Sequence, residues 1–514
     1  MLKADKNQVF TPDHIVQFMC KVLGVNRDSR VLDPCCGSGA FLVRAMTEAM
    51  DDCETEDERE LVKEECIYGI EYDEVAFGLS TTNMLIHEDG NSNIKQGNCF
   101  DQGKEIEENN INMVLMNPPY NAQKKHSNPE YVKSWDKSTT TDPSKGFHYV
   151  HYVASKVKTG TLAVLLPMSC AIGNNKEIKK FKEKMLNEHT LEAVFSMPSE
   201  IFHPGANVSS CCMVFDLGVR HEKSSIKGTF FGYFRDDGFV KKKNLGRVEY
   251  LNDDGEGIWK NIKAEWLNLY YNRIEKTSMS VIKEVSHDDE WLAEAYMETD
   301  FYHLDDLNFE NKIKDYLAFE VLTGRANINK TTNKDNALKQ KIRLDVDTWK
   351  EFYVDNKTHP ENGLFTLDIP KGTTTDMLTE GNSIPYVAAK RDINGLRSMV
   401  DKVENEEYIS DGNCIAFVAL GAGSAGYATY QSKEFIGMNG KISLGYNENL
   451  NPYVGIFIAT LLDLERPKYS FGRSWTGAKL KDTMIKLPVN EDDGTPDWDL
   501  MEEYIKSLPY GNVI

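Results

Sequence analysis

Short β-rich runs alternate with longer helical patterns up to residue 220, and this alternation constrains the fold more than any other feature of the sequence. Helical patterns lie near residues 40–50, 73–87 and 147–158. The apolar runs around them predict strands at Val31–Asp33, Ile67–Glu71, Met113–Met116, Leu162–Leu166, Leu191–Phe195 and Cys211–Phe215. We therefore predict a doubly wound α/β domain with a mostly parallel sheet covered on both faces. We expect the acid-rich segment 51–60 to be a solvated excursion between a helix and the second strand.

The pattern changes after residue 220. It predicts strands at Gly228–Tyr233 and Gly246–Tyr250, and helices at Glu290–Tyr302 and Asn308–Phe319. The polar stretch Asn327–Lys341 has no hydrophobic period and predicts a linker. Short β-like runs follow it, and an amphipathic helix is predicted at Trp498–Ser507. We therefore divide the chain into regions 1–220, 221–335 and 345–514.

A glycine loop joins the first predicted strand to the helix that follows it. The strand ends at Asp33, and Gly37, Ser38 and Gly39 precede the helix. Glycines let the backbone approach a ligand closely, and a helix N-terminus supplies oriented N–H donors. Glu71, at the end of the second strand, is placed to accept hydrogen bonds from both hydroxyls of a ribose. The alternative is an ordinary βα turn of a doubly wound domain.

The motif Asn117-Pro118-Pro119-Tyr120 directly follows the predicted strand Met113–Met116. It therefore lies at the carboxyl edge of the sheet, where α/β enzymes place their sites. Two consecutive prolines stiffen the backbone and fix the directions of the Asn117 amide and the Tyr120 ring. The alternative is a proline-rich turn that carries a surface tyrosine.

In this order the motifs resemble those of amino-group methyltransferases that use S-adenosylmethionine, specifically the N6-adenine DNA methyltransferases of restriction-modification systems. The resemblance implies a Rossmann-like domain that binds the cofactor at Asp33, the glycine loop, Glu71 and Asn117. An exocyclic amine on a purine is a poor nucleophile because its lone pair is delocalised. The Asn117 side chain and the Pro118 carbonyl would accept its hydrogen bonds and direct the lone pair, while Tyr120 would stack on the flipped base.

Segments on either side of these motifs extend the resemblance. Phe10-Thr11-Pro12 and the predicted helix Asp13–Leu23 are similar to the N-terminal motif of type I methylation subunits, which implies that Phe10 and Thr11 contact the cofactor. Pro198–Ser210 is similar to a later motif of the family, which implies that Phe202 packs on the target base. A buried core aromatic is the alternative for Phe202.

One position departs from the family pattern. Asn98 stands where many relatives carry an aspartate that contacts the adenine of the cofactor. An asparagine oxygen still accepts this bond without a charge. Asp101 is the alternative contact.

The later regions resemble other parts of restriction-modification proteins. Residues 221–320 resemble an α+β extension of methylation subunits, and 345–510 resemble an α/β target recognition domain of specificity subunits. Single basic residues there are candidate DNA contacts, and each is also explained as an ordinary solvent-exposed side chain: Lys390, Arg391, Lys441, Arg473 and Lys479.

The chain as a whole is acidic, with 59 Lys and Arg against 80 Asp and Glu and a formal net charge of −21. Taken alone, this balance argues against a nucleic-acid partner. The balance is reversed after Tyr120, since residues 121–190 contain 12 Lys and Arg and 6 Asp and Glu. Exposed charges act over about 8 Å in physiological salt, so this predicted loop is a candidate phosphate contact, with a solvated flexible loop as the alternative. Its lysines are Lys124, Lys125, Lys133, Lys137 and Lys145.

The resemblance implies double-stranded DNA as the substrate. It also implies a restriction endonuclease or a specificity subunit as partner, or a homodimer that would read a two-part site. Two alternatives remain: a methyltransferase for RNA or a protein glutamine amide, and a non-catalytic DNA-binding specificity subunit. The histidines and cysteines have no metal-site spacing, and no apolar run spans a bilayer, so we expect a cytoplasmic protein without a metal or a membrane segment.

Overall fold

The computed structural model describes residues 10–87, 93–173, 175–225, 228–243, 245–325, 342–421, 423–470 and 472–514. The chain divides into two compact units, one that extends to Glu298 and one from Thr299 to Ile514. The predicted linker Asn327–Lys341 lies outside the described residues.

The strands of the first unit are β1 (Val31–Asp33), β2 (Ile67–Glu71), β3 (Asn93–Gln96), β4 (Met113–Met116), β5 (Gly160–Pro167), β6 (Thr190–Ser196), β7 (Ser210–Leu217), β8 (Thr229–Tyr233), β9 (Phe239–Lys242), β10 (Gly246–Glu249) and β11 (Ser280–Lys283). Its helices are α1 (Asp13–Leu23), α2 (Ala40–Asp51), α3 (Glu56–Glu65), α4 (Glu74–Ile86), α5 (Gly103–Glu108), α6 (Pro129–Val132), α7 (Phe147–Val157), α8 (Met168–Ile172), α9 (Lys176–Glu188) and α10 (Trp259–Tyr271).

A nine-stranded sheet in the order β11-β8-β6-β7-β5-β4-β1-β2-β3 forms the centre of this unit. β1 is parallel to both β2 and β4, so the strand order reverses direction between β1 and β4. β7 is antiparallel to its neighbours β5 and β6, and β11 is antiparallel to β8. The other neighbours are parallel, which confirms the predicted mostly parallel sheet. Ligands of such folds bind where the strand order reverses.

Successive strand residues point to two different apolar cores, one on each face of the sheet. In β4, Leu115 packs in the core beneath α1 and α2, whereas Val114 and Met116 pack in the core beneath α7 and α9. This period of two, with apolar residues on both sides, explains why the strands appear in the sequence as continuous apolar runs. The prediction that both faces are covered is confirmed.

Three segments of this unit differ from the sequence-based expectation. β3 was not predicted because it contains a single apolar residue, Ile94, and lies at the edge of the sheet. The acid-rich segment contains the start of α3, since the Thr55 hydroxyl accepts a hydrogen bond from the Glu58 N–H and caps a helix. The helix predicted at Glu290–Tyr302 is wrong. Only a short 3₁₀ turn forms, at Ala293–Ala295. Adjacent residues are buried there, whereas the buried residues of an amphipathic helix lie on one face.

The region predicted as a separate extension is shared between the units. β8 and β11 lengthen the nine-stranded sheet, and α10 contacts α1. These pairings place residues up to Glu298 in the first unit, whereas Thr299 and the residues that follow belong to the second.

The second unit contains β12 (Lys350–Asp355), β13 (Gly363–Asp368), β14 (Glu380–Val387), β15 (Leu396–Val400), β16 (Ile409–Ser410), β17 (Cys414–Val418), β18 (Ala428–Gln431), β19 (Phe435–Gly437), β20 (Ile442–Tyr446) and β21 (Met484–Leu487), with α11 (Asp306–Leu322), α12 (Pro452–Asp463), α13 (Ala478–Lys481) and α14 (Trp498–Ser507). Its sheets have the orders β18-β17-β20-β13-β12-β21 and β15-β14-β19-β16. α12 is buried along most of its length, and α14 has the predicted bounds. Over the described ranges, no helix has the length and apolar character needed to cross a bilayer.

Candidate active site

A cavity of about 460 Å³ opens at the carboxyl ends of β1, β2 and β4, where the strand order reverses. Its lining includes nearly all the residues predicted from the sequence: Phe10, Thr11, Asp33, Gly37, Ser38, Glu71, Asn98, Asn117, Pro118, Pro119, Tyr120 and Phe202. These residues come from six separate parts of the chain, and the fold brings them to one place.

The glycine loop is held by Glu71. One carboxylate oxygen of Glu71 accepts a hydrogen bond from the Gly37 N–H and the other from the Asp73 N–H, both at 2.8 Å. Burial raises the pKa of Glu71, although these two N–H groups oppose the shift. The predicted residue Gly39 lies behind the lining: its φ is +83°, and a Cβ there would lie 3.2 Å from Ser80 Cβ. Gly39 therefore lets α2 begin close against α4.

Asp33 provides a second buried acid at the cavity. Its carboxylate accepts a hydrogen bond of 3.1 Å from the Cys35 N–H, and 1 % of the residue is exposed. Burial raises the pKa of Asp33 to about 8, and the nearby charge of Glu71 adds to this effect. The side chain is therefore largely protonated at neutral pH, and a cation in the cavity would favour its ionised form.

The Asn117–Tyr120 motif is joined to the N-terminal motif by hydrogen bonds. The Asn117 side-chain Nδ2 donates to Thr11 Oγ1 at 3.1 Å, and the Tyr120 hydroxyl donates to Asn117 Oδ1 at 2.8 Å. In this arrangement the Asn117 nitrogen faces Thr11 and its oxygen faces Tyr120. The motif thus presents an oriented neutral acceptor beside two proline residues at the cavity.

The two predicted base-stacking rings lie close together but are not parallel. The ring centroids of Tyr120 and Phe202 are 6.4 Å apart and the rings are inclined at 62°. Phe202 is 3 % exposed and also belongs to the apolar core. Two rings that stack on opposite faces of one base are parallel to each other. The rings of Tyr120 and Phe202 are instead inclined and make an edge-to-face contact with each other.

Asn98 lines the cavity, whereas Asp101 is exposed outside the lining. Asn98 Nδ2 donates to the His126 carbonyl oxygen at 3.0 Å, and its Oδ1 accepts from the Phe100 N–H at 3.2 Å. The lining also contains Tyr72 and His126, whose ring centroids are 4.8 Å apart and which were not predicted from the sequence. The position of Tyr72 directly after Glu71 was the available signal.

The basic segment that follows the motif is folded rather than a simple loop. It contains α6 and the buried Trp135, and an antiparallel bridge between Gln123 and Thr141 closes its base. Lys125 and Lys137 are exposed, while Lys124, Lys133 and Lys145 contact Asp136, Glu130 and Asn121 respectively.

In the second unit, the basic candidates differ in exposure. Arg473 is 7 % exposed and packs over the Tyr469 ring, so the prediction that it contacts DNA is not supported by its burial. Arg391 is exposed, and its guanidinium lies 5.5 Å from the ring centroid of Tyr427. Arg466 is also exposed and lies 4.9 Å from the same ring, while the Tyr427 ring itself is buried. Lys441 is exposed, and Lys390 and Lys479 are partly exposed.

All ten cysteines are free thiols. Within the described ranges, no group of three or more His, Cys, Asp or Glu side chains is arranged to hold a metal ion.

Several known proteins similar to this chain come from restriction-modification systems. Residues 2–250 match the family model described as N-6 DNA Methylase. The chain is 33% identical over 314 residues to the type II restriction enzyme and methyltransferase RM.BcgI of Heyndrickxia coagulans, which covers 61% of this chain and 46% of that protein. It is 23% identical over 214 residues to the methylase subunit of the type I restriction enzyme EcoEI of Escherichia coli, covering 41% of this chain and 42% of that subunit.

A third relative is the specificity subunit S.BcgI of a type II restriction enzyme of Heyndrickxia coagulans, 24% identical over 161 residues, or 31% of this chain and 43% of that one. The chain thus spans less than half the length of each of these relatives. Among solved structures, a modification subunit of a putative type I restriction enzyme from Vibrio vulnificus YJ016 is 21% identical, with a TM-score of 0.43 over 54% of this chain and 56% of that one. All the lining residues of the cavity fall between residues 2 and 250, the part of the chain that matches the N-6 DNA methylase family model.

Proposed function

We propose that this chain transfers a methyl group from S-adenosylmethionine to the N6 amino group of an adenine that is flipped out of double-stranded DNA. The observation that carries this proposal is the hydrogen-bonded orientation of Asn117 by Thr11, at the edge of a cavity that also contains Glu71. The position of these residues within the N-6 DNA methylase match supports the same substrate.

The residues of the cavity fit this cofactor. Each Glu71 oxygen accepts one backbone N–H and, having two lone pairs, keeps capacity for a ribose hydroxyl. Asp33 supplies an acid whose ionised form suits the cationic end of the cofactor, and the Tyr72 ring offers a stacking surface at the lining. A volume of about 460 Å³ lies in the range of cofactor sites. When bound, S-adenosylmethionine supplies an electrophilic methyl group.

The chain acts mainly by orienting the amine. Asn117 Oδ1 accepts one amino N–H in place of the Tyr120 hydroxyl, and the Pro118 carbonyl accepts the other. Both acceptors strengthen their hydrogen bonds as positive charge develops on the nitrogen, which lowers the barrier. Thr11 holds the Asn117 amide so that its oxygen stays on the side of the base. Tyr120 and Phe202 hold the flipped base, which requires their rings to separate from the present edge-to-face contact.

We assign recognition of the DNA sequence to the second unit. Arg391 and Arg466 are exposed cations that pack over the buried Tyr427 ring and are suited to contacts with a nucleic acid, and the similarity to a specificity subunit supports this role. The exposed lysines Lys125 and Lys137 of the first unit are suited to phosphate contacts. A restriction endonuclease or specificity subunit is the partner that the named relatives favour.

Mapping of modified bases tests this proposal. The chain and its Asn117→Ala variant are expressed in a bacterial host without its own adenine methyltransferases, and genomic DNA is sequenced for modified positions. We expect N6-methyladenine within one recurring sequence for the unaltered chain and none for the variant. Absence of modified adenine, or modification of cytosine, refutes the proposal. Modified adenine without a recurring sequence refutes the recognition role alone.

A further inference from the structure

A buried polar cluster lies directly behind the Asn117–Tyr120 motif and outside the cavity lining. Asp142, Ser144 and His148 are each 0 % exposed. One Asp142 oxygen accepts hydrogen bonds from the Ser144 N–H at 2.8 Å and the Ser144 hydroxyl at 2.7 Å, and the other accepts from the Gly146 N–H at 2.6 Å. His148 Nδ1 lies 3.0 Å from Asp142 Oδ2 and 3.1 Å from Ser144 Oγ.

Two contacts connect this cluster to the motif. Asp142 donates its backbone N–H to the carbonyl oxygen of Ala122 at 2.9 Å, and Ala122 lines the cavity two residues after Tyr120. Gly146, at a φ of +95°, packs so closely on Pro118 that a Cβ there would lie 3.1 Å from Pro118 Cγ. The turn held by Asp142 therefore supports the motif from Pro118 to Ala122.

The carboxylate of Asp142 suits a rigid support. Burial opposes its charge, but hydrogen bonds from His148, Ser144 and Gly146 outweigh burial and lower the pKa of Asp142. Bonds to a buried anion are stronger than bonds between neutral groups, so the turn is held more firmly than a neutral side chain would hold it. The His148 ring also stacks on Phe100, with ring centroids 5.3 Å apart, beside the segment that contains Asn98.

We propose that Asp142 is a positioning residue for methyl transfer: through Gly146 and Ala122 it fixes the Pro118–Tyr120 backbone against which the amine is oriented, without touching base or cofactor. This inference rests on the proposed function. It predicts that disturbing the cluster slows the chemical step, because a small displacement of an orienting acceptor costs much of the rate. Cofactor binding is preserved, because Glu71 and the glycine loop are held by other contacts.

Asp142→Asn is the first variant, since asparagine has the same shape and keeps one acceptor oxygen for the turn. Methyl transfer is measured with unmethylated bacterial genomic DNA and varied S-adenosylmethionine. We expect kcat to fall about 10- to 100-fold, with the KM for S-adenosylmethionine within about twofold of the unaltered value. Gly146→Ala approaches the same contact from the other side, by placing a methyl group against Pro118, and we expect the same pattern.

Thr55→Ala is the matched control, because it removes the cap of α3 in the same unit at an exposed position away from the cavity. We expect this control to lower the melting temperature and leave kcat unchanged. An unchanged kcat in Asp142→Asn overturns the inference, as does a fall in kcat that Thr55→Ala reproduces. If Asp142→Asn does not fold, Gly146→Ala decides in the same way. Failure of the unaltered chain to methylate DNA overturns the proposed function and the inference together, whereas an active chain with unaffected variants overturns the inference alone.

Discussion

Replacement of Glu71 by glutamine tests whether this carboxylate binds the ribose of the cofactor. Glutamine keeps the length of the side chain but replaces one oxygen with an NH₂ group, which donates and does not accept. In the structure both oxygens accept backbone N–H groups, from Gly37 and from Asp73, at 2.8 Å. One of these N–H groups therefore loses its acceptor in the variant, and one ribose hydroxyl loses its acceptor as well.

The size of the effect follows from these bonds. A hydrogen bond to a charged group contributes about 1.5–3 kcal/mol, and each 1.4 kcal/mol corresponds to about a tenfold change in affinity. Loss of the ribose bond, with a less ordered Gly37 loop, predicts binding of S-adenosylmethionine about 10- to 100-fold weaker. Calorimetric titration of the purified chain measures this change directly.

Glu74→Gln is the control for the change in charge. Glu74 lies in the first turn of α4, three residues from Glu71, and is exposed outside the cavity lining. We expect its affinity for S-adenosylmethionine to match that of the unaltered chain. A Glu71→Gln variant that binds the cofactor within about twofold of the unaltered chain would show that the ribose is not held by this carboxylate.

Three further changes test other parts of the account. Asn117→Ala removes the oriented acceptor, so we expect methyl transfer at least about 100-fold slower while calorimetry gives nearly unchanged cofactor affinity; equal losses in both would contradict its role. Asp33 has a pKa of about 8 and is ionised in about a tenth of molecules at pH 7. The affinity of the unaltered chain for S-adenosylmethionine should therefore rise about 10-fold from pH 7 to pH 9, whereas that of Asp33→Asn should not. Parallel pH curves for the two proteins would contradict this role of Asp33. Burial lowers the pKa of Lys182 from 10.5 to about 8, so the unfolded chain binds more protons between these values and the folded state gains stability as pH rises. In urea unfolding, the free energy of unfolding should rise by about 3 kcal/mol between pH 8 and pH 10.5 relative to Lys182→Met. Equal pH slopes in the two proteins would contradict the lowered pKa of Lys182.

The sheet could be predicted because its central strands are buried on both faces and appear as continuous apolar runs. That signal is absent from β3, where the edge position leaves Asn93 and Lys95 partly or fully exposed. The apolar signal led to a wrong prediction at Glu290–Tyr302. Trp291, Leu292 and Ala293 are all buried in the core on one face of the sheet, but they do not form an α-helix. Local propensity does not distinguish these two kinds of burial.

The site residues on short contiguous motifs could also be predicted, because each motif follows a strand and the strands share one edge. Partnerships between distant residues could not. Nothing in the sequence shows that Asn117 donates to Thr11, or that Gly146 packs on Pro118, since these contacts exist only once the chain is folded. The sequence also does not show which side chains are exposed. Arg473 was therefore predicted as a candidate DNA contact although it is buried.

Transfer of an isotopically labelled methyl group identifies the acceptor that the chain methylates. Purified chain is incubated with labelled S-adenosylmethionine and unmethylated double-stranded DNA, and the DNA is digested to nucleosides that are identified by mass spectrometry. RNA and the chain itself are analysed in parallel as competing acceptors. We predict label in N6-methyldeoxyadenosine and in no other nucleoside, and loss of this label in Asn117→Ala. Label in methylated cytosine, in RNA or in protein with none in adenine would contradict it.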